Sequence, residues 1–223
     1  MTGLLDFLKN SLPQHCGVIL GEEVPYSQKL GRFTLVDDKA CHEAKGSAKY
    51  GSVCTGCDRA VLRIDSNGQE IAVIRYEEYI NRLFDGKTEG PKRCDIILTD
   101  SGVEGDLHRK IVFCDLCCYD KRHIGKKRAA ACKQMKESVE FLLEVPVLNQ
   151  HILTYREMVC LFAYRLHSNV QQSAAAQRGN AEANMLVMTT TASSVSGQVI
   201  TKEEIIGHGF EFVRNRYPSE YRW

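Results

Sequence analysis

The chain has 223 residues, enough for one well-packed core. Its 43% apolar and 26% charged residues are those of an ordinary globular protein, which excludes a disordered or fibrous chain. A net charge of +1 leaves no global field to draw nucleic acid or anionic lipid, so any such attraction must come from a local patch, and no apolar run approaches bilayer length.

The opening stretch, MTGLLDFLKNSLPQH, lacks a basic start, and Asp6 and Lys9 interrupt its apolar run, so it does not read as a secretory signal. Leu4, Leu5, Phe7 and Leu8 instead predict a short amphipathic helix. The expected location is the cytoplasm. There the ten cysteines would be reduced thiols, metal ligands or small core residues rather than a disulfide frame. Cys16, Cys41, Cys132 and Cys160, set among apolar neighbours, are expected to be core fillers.

Next, CDRAVLRIDSNGQEIAVIRYE predicts a β-hairpin, with β-branched strands around a Ser66-Asn67-Gly68 turn. YEEYINRLFDG predicts a short helix ending at Gly86. RCDIILTD and RKIVFCDLCCY predict two strands joined by the polar connection SGVEGDLH. The longest helix follows, near Gly125 to Glu144, where Cys132, Met135, Val139, Leu142 and Leu143 recur at helical steps and Pro146 supplies the stop. NQHILTY suggests a further short helix, REMVCLFAYRL a buried strand, and HSNVQQSAAAQRGNAEAN a loop. The tail, GFEFVRNRYPSEYRW, reads as a final strand whose Trp223 packs back onto the body.

This order predicts an α+β fold with a mixed, hairpin-containing central sheet flanked by helices. The expectation is a single domain over 1–223. Its core covers about 50–165, with an N-terminal helix and extension at 1–49 and a C-terminal loop and strand extension at 166–223.

Side chains alternate across a strand. Asp95 and Ile97 should therefore share one face of the first strand, with Cys94 and Ile96 on the other. Ile111, Phe113, Asp115 and Cys117 should share a face of the second, with Val112, Cys114, Leu116 and Cys118 opposite. If these strands pair, Asp95 and Asp115 converge. Two carboxylates in an apolar sheet repel one another and resist desolvation, and a divalent cation answers both costs.

An aspartate opening one strand, a short hairpin, an acidic residue deep in the next apolar strand, a long helix and a further strand resemble the PD-(D/E)XK, or restriction-endonuclease-like, superfamily over about residues 90–165. The resemblance implies a mixed-sheet nuclease core. Asp95 would match the first motif aspartate and Asp115 the second acidic residue, the two binding Mg²⁺ or Mn²⁺ for cleavage of DNA or RNA phosphodiesters. It also implies a free-standing role in bacterial defence or a mobile element. Where the motif lysine should stand, this chain has Cys117, and a thiol offers no fixed positive charge. Lys133 on the following helix, beside Gln134, is the candidate substitute, and Glu43 and Glu78 are candidates for a completing glutamate. The second expectation is a non-catalytic module on the same scaffold, binding nucleic acid or a protein partner.

The cations Lys121, Arg122, His123, Lys126, Lys127 and Arg128 cluster at the start of the long helix, where free N–H groups also attract phosphate. A structural zinc is the competing metal expectation. Cys54 and Cys57 have knuckle spacing, and Cys114 with Cys117 or Cys118 offers a second pair, the choice of Cys117 requiring the strand to end near Leu116. A Cys/His nucleophile drawn from Cys117 or Cys118 with His108, His123 or His151 lacks any orienting third group.

Overall fold

In a computed structural model, residues 3–18, 23–36, 60–84, 93–100, 110–119, 124–166, 198–199 and 207–223 are described. The elements in chain order are α1 (Gly3–His15), β1 (Tyr26–Lys29), β2 (Arg32–Val36), β3 (Ala60–Asp65), β4 (Ile71–Ile74), α2 (Tyr76–Leu83), β5 (Ile96–Asp100), β6 (Lys110–Tyr119), α3 (Ile124–Leu143), α4 (Pro146–Ile152), β7 (Glu157–Leu166), β8 (Gln198–Val199), β9 (Glu211–Arg216) and β10 (Glu220–Arg222). The fold is α+β, as its pattern predicts, with a mixed sheet flanked by helices.

Seven strands form the main sheet in the order β1-β4-β5-β6-β7-β9-β8, and three form a second sheet, β10-β3-β2. Within the main sheet β1 and β4, β4 and β5, and β5 and β6 pair antiparallel. The β6–α3–β7 crossover then makes β7 parallel to β6, and β9 parallel to β7. One face of the main sheet carries the helices. Between them lies a core containing Leu8, Tyr79, Ile97, Phe113, Met135, Leu148, Phe162 and Phe212. The other face packs on the small sheet through Leu35, Leu62, Ile64, Leu98, Val112, Leu161 and Val213. Both faces of β4 and β5 are covered, which explains strands without any polar alternation.

The hairpin expected at 57–77 takes a different course. Its turn forms as the sequence predicts: Gln69 N–H donates to Ser66 O at 2.9 Å, with Asn67 and Gly68 at positive φ of 51° and 78°. The flanking strands do not pair with each other. β3 joins the small sheet beside β2, and β4 joins the main sheet between β1 and β5. β1 and β2 make the same passage between sheets at Gly31, whose φ is 76°. The two passages are bonded together: Gly31 N–H donates to Ser66 Oγ at 2.8 Å, and Ser66 N–H donates to Gly31 O at 3.1 Å.

Pro146 does not only stop the long helix. It occupies the first turn of α4, where its missing N–H costs nothing, so the second helix starts earlier than NQHILTY suggests. Segments that the sequence treats as extensions are woven into both layers, since β1 and β9 lie in the main sheet and β2 and β10 in the small one. Trp223 packs back against the inter-sheet core, as expected, with the Lys110 ammonium 5.5 Å from its ring centre.

Candidate functional site

β5 and β6 pair with Ile96 opposite Cys114 as the last step of their ladder. Continued one step past the paired residues, the register would set Asp95 across from Asp115. There β5 bends away, while β6 continues to Tyr119 along β7. The N–H groups of β6 that would have met β5 backbone find side chains instead. Leu116 N–H donates to Asp95 Oδ2 at 2.6 Å, and Cys114 N–H is hydrogen-bonded to the Cys94 thiol. The carbonyl of Asp95 is held from the other side by Glu77 N–H of α2, at 3.1 Å. Its neighbour Cys94 donates its N–H to Ser138 Oγ of α3 at 2.8 Å, and Gln134 Nε2 reaches Arg93 O at 3.4 Å. Asp95 is thus fixed by one backbone bond from β6, one from α2, and a brace from α3.

Both aspartates are nearly buried, with 8% and 9% of their surface exposed. Asp115 lies on the helix-side face between Phe113 and Cys117. Their joint field is felt by the surrounding thiols. Burial pushes the Cys94 and Cys114 thiols well above their ordinary range, and the negative charges of Asp95 and Asp115 push both further the same way. These thiols are therefore protonated at neutral pH and are neither nucleophiles nor ready ligands. The alternation expected for β6 holds. The bend at Asp95 breaks it for β5, turning Cys94 into the helix-side core rather than beside Ile96.

Lys133 is not brought to this site. Ala131, Met135, Ser138 and Leu142 form the buried face of α3, and helical phase puts Lys133 on the outside. It is 63% exposed and lies 3.8 Å from Glu137. The α3 side chains that do reach the site are Gln134 and Ser138. Cys117 is buried in the helix-side core. Glu78 is committed to Arg75, at 3.2 Å, and to Arg82.

The condition for joint zinc binding by Cys114 and Cys117 is not met. β6 runs unbroken past Leu116, so Cys114 faces the inter-sheet core and Cys117 the helix-side core. Cys54 and Cys57 lie outside the described residues, as do Glu43, His108, Lys121, Arg122 and His123. Lys126 and Lys127 are exposed, and Arg128 half-buried, at the start of α3. His151 packs between the rings of Phe7 and Tyr155, at 5.1 and 5.5 Å, which accounts for it as a core-edge aromatic.

Among the described residues, no group of three or more His, Cys, Asp or Glu side chains is placed to hold a metal ion, and no helix is long and apolar enough to cross a membrane. No family model, curated protein or solved structure matches this chain.

Proposed function

We propose that this chain is a PD-(D/E)XK-like protein that cleaves nucleic-acid phosphodiesters with the help of Mg²⁺ or Mn²⁺ held by Asp95 and Asp115. The observation that supports this reading is that two buried aspartates, Asp95 and Asp115, lie one register step beyond the β5–β6 ladder, inside a β4–β5–β6–α3–β7 unit. A lone buried aspartate is explained by ladder closure. A second buried one acting on the same thiols, Asp115, adds repulsion that a cation would relieve. When bound, the ion would lower the pKa of a coordinated water and steady charge on the phosphodiester. The chain's own part is positional. Leu116 N–H and Glu77 N–H hold Asp95, and Phe113 and Phe162, next to Asp115 along and across the strands, are buried in the helix-side core.

A second reading has its own observation. The lysine position holds a buried Cys117, and Lys133 points away, so the scaffold would bind nucleic acid without cutting it. One experiment decides between them. Purified protein is incubated with labelled DNA and RNA in Mg²⁺ or Mn²⁺. Cleavage that Asp115→Asn lowers by at least about a hundredfold supports the enzyme. Salt-sensitive binding without cleavage replaces it with the module.

A further inference from the structure

The parallel strands β6, β7 and β9 end along one edge of the main sheet, and their register aligns side chains in rows. Asp115 stands beside Phe162, and Phe162 beside Arg214. In the next row on the same face, Cys117 stands beside Tyr164, and Tyr164 beside Arg216. Phe212 belongs to the helix-side core, so Arg214 and Arg216, two and four residues on, share the face that carries Asp115. Arg214 is half-buried and Arg216 exposed. Neither has a carboxylate partner among the described residues, although β7 and β9 expose Glu157 and Glu211 at their other ends. Two strand spacings separate Asp115 from Arg214, about 10 Å between backbones, and an arginine side chain spans much of that gap. Between the cations and the carboxylates lies an aromatic step, Tyr164 stacked on Phe162 with centroids 5.4 Å apart and planes 20° from parallel.

We infer that Arg214 and Arg216 form a phosphate clamp for a nucleic-acid strand and supply from β9 the positive charge that Cys117 cannot. Guanidinium groups match phosphate oxygens with a planar fork and stay charged at any working pH. The carboxyl ends of parallel strands are where open sheets place ligands. Cations beside an aromatic face suit a strand, whose phosphates and bases alternate, better than a bare anion. The inference deepens the proposed function and rests on its assignment of the substrate class, but it concerns binding.

The test is binding of labelled single-stranded DNA and RNA 20-mers in EDTA, where cleavage is suppressed, across a range of salt concentrations. The double variant Arg214→Gln/Arg216→Gln should bind at least about tenfold more weakly. Its log–log salt slope should be shallower by about 1.4, because two phosphate contacts are lost. Arg214→Lys/Arg216→Lys should recover most of the affinity. The exposed site alone, as Arg216→Gln, should lose about half of the effect with an unchanged melting temperature. Wild-type affinity in the double glutamine variant overturns the clamp. So does equal loss in the lysine and glutamine variants, which marks a structural role. Arginine-dependent binding by a wild-type protein that cleaves nothing upholds the clamp and sinks the catalytic reading. Metal-dependent cleavage with arginine-independent binding does the reverse.

Discussion

Strand β5 is closed at each end by an aspartate, and the two ends differ in what surrounds the carboxylate. At Asp100 the carboxylate takes Lys110 N–H at 2.6 Å, and the Lys110 side chain lies beside Glu157 and over the rings of Tyr221 and Trp223. At Asp95 the carboxylate takes Leu116 N–H at the same 2.6 Å, and the residue before Leu116 on β6 is a second buried aspartate, Asp115; burial first, and then the two carboxylates, keep the Cys94 and Cys114 thiols protonated. The shared closure shows that an aspartate at a strand end has a sufficient local reason to be there. The residue that bonds Asp100 carries an ammonium, whereas the residue before the one that bonds Asp95 is a second buried acid.

The largest effect that would sharpen this contrast is the response to divalent cation. At about a hundredfold over its dissociation constant, Mn²⁺ should stabilise the wild type by about 2.7 kcal/mol, or roughly 5–10 °C in melting temperature. Calorimetry with and without Mn²⁺ should show this shift persisting in Asp100→Asn and absent in Asp115→Asn. An equal shift in all three proteins would erase the difference between the two ends.

Alkaline pH gives a smaller effect, graded with pH. The Cys94 and Cys114 thiols are pushed up in the folded state, so they keep their protons while unfolded thiols lose theirs near pH 8.5. The stabilisation is present below that pH and is lost as pH rises above it, by up to about 1.4 kcal/mol per thiol per pH unit. Urea midpoints at pH 7.5 and 9.5 measure it. Replacing both cysteines by alanine should make the profile shallower, leaving the share of the similarly buried Cys160, while Asp100→Asn should leave it unchanged.

The smallest effect is expected at Lys133. Lys133→Gln removes one exposed pair with Glu137, worth about 0.3–0.5 kcal/mol, and should change neither nucleic-acid binding nor cleavage measurably. A large loss of cleavage would restore Lys133 to the Asp95–Asp115 end and undo the contrast from the other side.

What the sequence discloses about this protein is what short-range physics determines. Strand alternation places Asp115 on one face with Phe113 and Cys117, and helical periodicity locates α3 to within a residue at each end. The pairing of β5 with β6 is also legible, because one connection joins consecutive strands. Lys133 was readable too: the steps that bury Ala131, Met135 and Ser138 already turn it outward. The parting of β3 from β4 was not readable. A turn containing Asn67 and Gly68 suits a hairpin and a passage between sheets equally, and the choice rests on β2 and β5, which compete for those edges. Nothing local marks Arg214 and Arg216 either. Their place in the rows of Asp115 and Cys117 comes from parallel pairing with β7, which sequence spacing does not encode.

The reciprocal bonds between Gly31 and Ser66 act as a rivet through two fabrics. With both crossings pinned at one point, neither layer slides over the other without tearing that joint.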